Sequence, residues 1–263
     1  MLTFQYTNDM STITIPKEQW TKIYQFLESS PGVYAGQERK CRRFIEGVLW
    51  MVRSGSQWRL LPKKYGHWNS VYKRFARWCD KDIWHKMHQH FADDPDLELL
   101  ILDSTVIRAH PCAAGAPKKK GGQAEQTLGR SRGGFSTKIH VSVDGLGNPL
   151  RYRLTAGQRH DITQAEALVV DLDFDRLIAD KSYDADDFIQ RIIEEHEAEV
   201  VIPSRAKRKN PRDYDVHLYK ERHLVECFIN KIKHYRRVFS RFEKLADRYL
   251  GFLNFVGMLI WLR

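Results

Sequence analysis

Cysteine is scarce in this chain of 263 residues, and the few that occur are scattered. No C-x-x-C pair is present, so a structural zinc site and a disulfide framework are both disfavoured. A reducing compartment such as the cytosol is expected. The four cysteines are Cys41, Cys79, Cys112 and Cys227.

Long hydrophobic runs are also absent. No apolar stretch reaches the ~18 residues that a membrane span needs, and the first residues lack the basic-then-apolar pattern of a secretion signal. The most apolar stretch, Tyr249–Leu262, is short enough for a buried closing helix. We therefore expect no membrane partner and a cytoplasmic protein.

What the chain has in excess is positive charge. Its formal net charge is +10 and its pI is about 9.4, which favours a polyanionic partner. Residues 205–237 carry 11 Lys and Arg against 4 Asp and Glu, and residues 118–132 carry 5 against 1. A single basic run is equally well explained as a solvated surface. Two runs that together hold the whole excess of positive charge indicate a nucleic-acid partner.

The first third of the chain is predicted to be helical. It holds six of the seven tryptophans, which are expected in the core, and its pattern ends at Asp93–Asp96. We expect helices from Pro16 to about Ser29, over Glu38–Ser54 with Gly55 as its end, from Asn69 or Ser70 to Cys79, and over Ile83–Phe91. Residues 1–95 would form a small all-α domain and residues 96–263 a second domain.

The third of these helices has the pattern of a DNA recognition helix. Val71, Phe75 and Trp78 form a buried stripe, which leaves the basic residues on the other faces. A helix-turn-helix-like domain that binds double-stranded DNA is one interpretation, and a helical platform for dimerisation is the other. The basic residues are Lys73, Arg74 and Arg77.

After residue 96 the pattern changes from helix to strand. The predicted elements are strands at Leu99–Leu102, Lys138–Val143 and Leu150–Leu154, a helix at 161–171, a strand at Leu177–Ala179, a helix at 184–195 and a strand at Glu199–Ile202. A DGLGNP turn joins the second and third strands as a hairpin. This order matches a ribonuclease-H-like α/β fold.

Two of these strands are predicted to end at an aspartate, Asp103 and Asp180. Ligands gather at strand ends in open sheets, and Glu226 comes from a helix that could lie across the edge. Three such carboxylates suit two-metal phosphoryl transfer, although an aspartate after a strand is more often a turn residue. Asp184 stands where a helix needs its N-cap, and Asp161 has capping-box spacing, so both are interpreted as structural.

The most specific pattern is Y-x2-R-x3-E-x6-K near the C-terminus. Its steps of 3, 4 and 7 residues are helical, so the four side chains share one face within about 60°. A carboxylate flanked by two cations and a phenol suits a divalent metal and phosphate. The four residues are Tyr219, Arg222, Glu226 and Lys233, and the apolar stripe beside them is Leu218, Val225, Ile229 and Ile232.

Residues 111–134 are rich in glycine, alanine and lysine and are predicted to form a mobile loop. The basic residues of this loop would either become ordered on DNA or lie on a solvated surface. They are Lys118, Lys119, Lys120, Arg130 and Arg132.

Together these motifs resemble the DDE transposases of bacterial insertion sequences. The Tyr-Arg-Glu-Lys pattern is similar to the signature of that family, as are LDST at 102–105, GGFSTKIHVSVDGLGNPL at 133–150 and ADKSYDA at 179–185. Residues 53–78 resemble the helical domain that precedes the catalytic domain in a compact branch of the family.

The resemblance implies a metal-dependent enzyme. Asp103, Asp180 and Glu226 would bind two Mg²⁺, or Mn²⁺ in their place, and activated water would cut DNA at the terminal inverted repeat. The freed 3′-hydroxyl would attack target DNA, with two ends held by a homodimer. The phosphates of the transposon end would be held by Tyr219, Arg222 and Lys233. The short separation between Asp180 and Glu226 leaves no room for the large β insertion of some relatives.

Two other functions fit the residues less fully. A nuclease of the same fold would cut DNA without strand transfer, and a DNA-binding regulator would keep the fold without activity. The regulator would be expected to lack one of the acidic residues, and none is missing here.

Overall fold

The structure, a computed structural model, describes residues 13–117, 122–131 and 133–263. Lys118, Lys119, Lys120 and Arg132 therefore lie outside the described residues. The α-helices within them are α1 (Lys17–Ser29), α2 (Glu38–Ser54), α3 (Trp68–Asp80), α4 (Ile83–Phe91), α5 (Gly122–Glu125), α6 (Ala165–Val169), α7 (Asp186–His196), α8 (His223–Lys233), α9 (Arg236–Phe239) and α10 (Ala246–Trp261). The strands are β1 (Leu99–Ala109), β2 (Gly129–Ser131), β3 (Gly134–Val143), β4 (Pro149–Ala156), β5 (Arg176–Ala179), β6 (Glu199–Val201) and β7 (Ser240–Arg241).

Helices α1 to α4 agree closely with the helical pattern of the sequence. Gly55 ends α2 in the left-handed conformation, with a φ of 67°. A Cβ at this position would also meet the Arg236 Cβ at 2.9 Å, so both backbone and packing require glycine. The predicted start of α3 is wrong, because the helix begins at Trp68 and Asn69 and Ser70 lie inside its first turn.

One mixed sheet forms the centre of the chain. Its strand order is β2-β3-β1-β5-β6, with β4 paired to β3 and β7 paired to β1. β1 runs antiparallel to β3 and parallel to β5, and β3 and β4 form the predicted hairpin. The mixed sheet with helices on both faces confirms the predicted ribonuclease-H-like α/β class.

The central strand β1 is longer than predicted. It continues from Leu99 to Ala109, whereas the apolar run had predicted an end at Asp103. The β-branched residues at 105–107 favour extended backbone, and β3 pairs with β1 over Ile101–Arg108. Asp103 therefore lies in the middle of a central strand, and its predicted position at a strand end is wrong.

Two hydrophobic cores cover the two faces of the sheet. The larger contains apolar side chains of α1–α4, β1, β3 and α8–α10, and the smaller packs α6 and α7 against β1 and β5. Helix α10 is buried along nearly its whole length, which confirms the prediction of a closing helix. Among the described residues, no helix has the length and apolar character needed to cross a membrane.

The N-terminal helices share their core with the C-terminal helices. The Phe75 ring in α3 stacks on Phe252 in α10 with 4.4 Å between centroids, and Trp84 in α4 meets Phe255 at 5.3 Å. Trp84 is 1% exposed, so packing accounts for it. The boundary predicted near residue 95 thus separates two sequence patterns that are joined by one hydrophobic core.

Candidate active site

The parallel pairing of β1 and β5 brings Asp103 and Asp180 together. Leu102 pairs with Ala179 at the end of the ladder, so the two aspartates are the next residues on neighbouring strands. Asp103 remains paired to β3 on its other side, whereas the chain leaves the sheet at Asp180. The Asp180 carboxylate accepts the Ser182 N–H at 2.8 Å and so begins a 3₁₀ turn.

Glu226 approaches these aspartates from the first turn of α8. The opposite side of α8 packs against the sheet through a buried stripe, as its apolar spacing predicts. The stripe consists of Val225, Phe228, Ile229 and Ile232; Phe228 was not in the predicted stripe, and the predicted Leu218 is partly buried in the turn before α8. The charges of both Asp180 and Glu226 act on the Asp103 carboxyl and raise its pKa, so both lie within electrostatic range of Asp103.

Arg222 lies at the centre of this acidic cluster. Its Nη1 donates to Asp103 Oδ2 at 2.9 Å, and its Nη2 donates to Glu226 Oε1. Residues 218–222 form a 3₁₀ turn before α8 begins at His223, which differs from the single helix predicted. Arg222 and Glu226 nevertheless form an i, i+4 ion pair. One guanidinium thus neutralises carboxylates from two different elements.

The other two residues of the signature lie at different distances from the cluster. Tyr219 is partly buried, and its ring meets Tyr214 edge-on with 5.5 Å between centroids. Burial raises the pKa of the Tyr219 hydroxyl, which is therefore neutral, and its oxygen accepts a hydrogen bond from Arg222. Lys233 is exposed in the last turn of α8, about 10 Å along the helix axis from Glu226.

Burial also sets the electrostatics of the cluster. It raises the pKa of Asp103 to about 6; the Ser104 N–H and Arg222 oppose this rise, and Asp180 and Glu226 add to it. Burial lowers the pKa of Arg222, but the nearby Asp103 and Glu226 carboxylates outweigh burial and raise it. At neutral pH the site therefore pairs an ionised Asp103 with a charged Arg222.

The donor chemistry of the cluster fits a hard divalent cation. Carboxylate oxygens are the ligands that Mg²⁺ and Mn²⁺ prefer. In the described part of the chain, no three His, Cys, Asp or Glu side chains are already arranged to hold a metal ion. Arg222 occupies the space between Asp103 and Glu226. A cation shared by these two carboxylates would require the guanidinium to move aside.

A polar network that the sequence did not predict lies on the other face of β1. Asp161 accepts hydrogen bonds from Ser104 Oγ and Lys138 Nζ, both at 2.8 Å. Burial lowers the pKa of the neighbouring His140 to about 4, so this ring is neutral. The capping interpretation of Asp161 is wrong, because its carboxylate bonds to β1 and β3 instead of capping a helix.

The alternation of strand residues is the signal that could have found this network. Ser104 follows Asp103, so the two side chains lie on opposite faces of the sheet. The register pairs Ser104 with His140, two residues from Lys138 on the same face of β3. Only the path of the chain after β4 decides that Asp161 meets them.

Asp184 anchors the basic loop between β6 and α8. Its side chain is 1% exposed and accepts the Arg205 N–H at 2.8 Å and the guanidinium groups of Arg208 and Arg212, each at 2.7 Å. The prediction that Asp184 caps a helix is wrong, since α7 begins at Asp186. Part of the positive charge of residues 205–237 is therefore used in internal ion pairs.

The basic residues predicted on α3 are of two kinds. Lys73 and Arg77 are exposed, whereas Arg74 packs over two aromatic rings and donates to a backbone carbonyl at 3.2 Å. Arg130 in β2 is exposed and lies 5.7 Å from the centroid of the Phe135 ring. Lys73, Arg77 and Arg130 thus remain accessible to a polyanion, and Arg74 holds α3 against its neighbours.

Two family models match the chain. The model described as "Transposase DDE domain" matches residues 94–253, and the model described as "Putative transposase of IS4/5 family" matches residues 15–88.

Among curated proteins, the chain is 40% identical over 130 residues to the "Putative transposase for insertion sequence element IS6501" of Brucella ovis. This match covers 49% of the chain and 100% of that protein. It is also 39% identical over 106 residues to the uncharacterized protein y4sN of Sinorhizobium fredii, covering 40% of the chain and 85% of that protein.

Among solved structures, the chain is similar to a piggyBac transposase synaptic complex with hairpin DNA, with a TM-score of 0.40 and 12% identity. That match covers 78% of this chain and 50% of the piggyBac chain, so this chain spans half its length. The Mos1 strand transfer complex matches with a TM-score of 0.27 and 12% identity, covering 95% of this chain and 96% of that one.

Proposed function

This chain belongs to the transposase DDE family of bacterial insertion sequences, and we propose that it cuts DNA at the ends of its element and joins the 3′-hydroxyl ends to target DNA. The observation that carries this proposal is the acidic cluster. Asp103 lies in β1, Asp180 directly follows the neighbouring parallel strand β5, and Glu226 is linked to Asp103 through Arg222.

Asp103, Asp180 and Glu226 are the residues that would hold two Mg²⁺, or Mn²⁺ in their place. When bound, the two cations would supply activation of the attacking oxygen and charge stabilisation at the leaving oxygen. The raised pKa of Asp103 supports this assignment, since it reflects buried negative charge that a cation would relieve.

The side chains around the cluster would position the DNA backbone. Arg222 offers a planar pair of donors for a phosphate, and the neutral Tyr219 hydroxyl offers one more. Lys233 would hold a phosphate further along α8. Arg222 now forms ion pairs with Asp103 and Glu226. A phosphate bound to Arg222 and a metal ion bound to the two carboxylates would together replace these ion pairs.

The exposed residues Lys73, Arg77 and Arg130 would contact double-stranded DNA outside the site. Lys118, Lys119, Lys120 and Arg132 are proposed as further contacts on sequence grounds alone. Joining two ends of one element calls for a homodimer on DNA. A protein with this substrate would act in the cytoplasm, at the nucleoid.

The test is the change Glu226→Gln, assayed on a supercoiled plasmid that carries the element with its flanking DNA. The wild type should nick the plasmid with Mg²⁺ and join 3′-hydroxyl ends to target DNA. The variant should bind the ends but cut them at least about a hundredfold more slowly. Glu221→Gln, in the 3₁₀ turn before α8 and partly exposed, is the matched control and should cut normally.

Three results would count against the proposal. Full cleavage by Glu226→Gln would remove this residue from the site. Cleavage by the wild type without joined products would indicate a nuclease. Binding without any cleavage would indicate a regulator.

A further inference from the structure

Asp180 is held in a different way from Asp103. Asp103 lies inside β1, and the ladder with β3 continues before and after it. Asp180 follows the last residue of β5, a strand of four residues, and the chain turns away from the sheet there. The sheet therefore fixes the backbone of Asp103, whereas the orientation of Asp180 depends on the turn that follows it.

The chain after Asp180 forms a 3₁₀ turn at Lys181–Tyr183. The Asp180 carboxylate accepts hydrogen bonds from the N–H of Ser182 at 2.8 Å and from its hydroxyl, so the carboxylate and the turn fix each other. The ring of Tyr183 is fully buried in the smaller core and anchors the end of the turn. A shift of this turn would therefore move the Asp180 carboxylate.

Arg205, in the loop after β6, binds two carbonyl groups of this turn. Its Nε donates to the Lys181 carbonyl at 3.2 Å, and its Nη2 donates to the Ser182 carbonyl at 3.0 Å. Its own N–H donates to Asp184 Oδ2 at 2.8 Å, and the Asp184 side chain is 1% exposed. The planar guanidinium thus spans two consecutive carbonyls from a backbone that is itself anchored.

We propose that Arg205 is a positioning residue for Asp180. Ser182 joins the two sets of contacts, because its N–H and hydroxyl donate to Asp180 while its carbonyl accepts from Arg205. Groups that orient a metal ligand without touching the metal matter for binding, and their loss lowers metal affinity or activity about 10–100-fold. This inference rests on the proposed function in taking Asp180 as a metal ligand.

Two other roles for Arg205 match these contacts less well. A direct contact to a DNA phosphate would need free guanidinium donors, and Nε and Nη2 already donate to carbonyls. A role in stability alone would need no particular acceptor. Both acceptors of Arg205 instead belong to the turn that orients Asp180.

The experiment measures Mn²⁺ binding to the full chain without DNA by calorimetric titration. Charge and positioning predict opposite signs, because removing a cation near a metal site tightens metal binding, whereas loosening Asp180 weakens it. Arg205→Gln should therefore bind Mn²⁺ about tenfold more weakly than the wild type. Arg205→Lys keeps the charge but loses the planar pair of donors, so it should also bind Mn²⁺ more weakly.

Lys207→Gln is the matched control. Lys207 is an exposed cation of the same loop, so its replacement removes the same charge and leaves both hydrogen bonds of Arg205 in place. Its Mn²⁺ affinity should equal or slightly exceed that of the wild type. Hydrogen exchange in EDTA needs no metal: the Ser182 amide should exchange several-fold faster in Arg205→Gln than in Lys207→Gln.

Cleavage of the plasmid that carries the element tests the consequence. Arg205→Gln should need about tenfold more Mg²⁺ for half-maximal cleavage and should recover toward the wild-type rate when Mg²⁺ is saturating. A purely structural role would lower the rate at every Mg²⁺ concentration. In EDTA, Arg205→Gln should bind the ends of the element as tightly as Lys207→Gln does.

The outcomes separate this inference from the proposed function. Mn²⁺ affinities of both Arg205 variants equal to or above that of Lys207→Gln would refute the positioning role alone. Weaker binding of the ends in EDTA with unchanged metal affinity would also refute it and would assign Arg205 to DNA. If the wild type binds no Mn²⁺ that Asp180→Asn abolishes, the metal assignment and this inference are refuted together.

Discussion

Replacing Asp103 by asparagine is expected to stabilise the protein at neutral pH when divalent cations are absent. The buried carboxyl keeps its proton up to a pKa of about 6, against 3.8 for the free group. Ionising Asp103 in the folded protein therefore costs free energy, even though the Arg222 guanidinium lies 2.9 Å away. Asparagine preserves the shape of the side chain and removes this cost.

The size of the effect follows from a pKa difference of about two units. One unit corresponds to ~1.4 kcal/mol, so the cost above pH 6 is about 3 kcal/mol. Because the folded state has the higher pKa, it binds more protons between about pH 4 and pH 6, and its stability falls as the pH rises through that window. Below about pH 4 both states are protonated and the cost vanishes. The difference in Tm should reach roughly 6–10 °C.

The assay is thermal unfolding of the wild type and Asp103→Asn in EDTA, from about pH 4.5 to about pH 8. Titrations common to both proteins cancel in the difference, which should grow up to about pH 6 and then stay constant. Asp213→Asn, at an exposed position, is the control and should show a small, flat difference. The reasoning is refuted if Asp103→Asn is the less stable protein at neutral pH. Added Mg²⁺ should stabilise the wild type more than the variant.

Three further outcomes are expected. Arg222→Gln should bind Mn²⁺ about tenfold more tightly without DNA, because the guanidinium no longer competes for Asp103; calorimetric titration measures this, and weaker binding would contradict it. Asp161→Asn should lower the free energy of unfolding by about 1–3 kcal/mol, since Lys138 loses its charged partner; an unchanged urea midpoint would contradict this. Asp184→Asn should free the basic loop that Arg208 ties down, so trypsin should cut that loop several-fold faster than in the wild type, and equal rates would argue against the anchor.

Local patterns predicted the secondary structure well where one rule acted alone. Helix α2 ends at Gly55 as expected, since only glycine readily adopts a φ of 67°. The predicted end of β1 and the predicted start of α3 were wrong because several sequence signals competed at each position. A polar residue after an apolar run resembles a strand end, but the ladder with β3 continues through Asp103. Residues with good capping side chains need not be the cap when the chain enters the helix earlier.

Two acidic residues near the site also show that a local sequence pattern does not identify the partner of a side chain. Asp161 and Asp184 both had side chains and spacings that suit helix caps, and both make tertiary contacts instead. Asp161 bonds to Ser104 and Lys138, and Asp184 bonds to the loop of Arg208. A carboxylate makes the same local pattern in either role, so its partner depends on which distant segment the fold brings to it.

The amino-acid sequence by itself determined the order of the main helices and strands and the basic character of the chain, and it predicted Asp103, Asp180 and Glu226 as the candidate metal ligands. These follow from periodicity, composition and the spacing of one signature, all of which are local properties. Only the tertiary structure decided that the N-terminal helices share a core with α10 and that Arg222 lies between two of the carboxylates. Each of these depends on contacts between residues far apart in the chain, which packing and burial select and local pattern does not record.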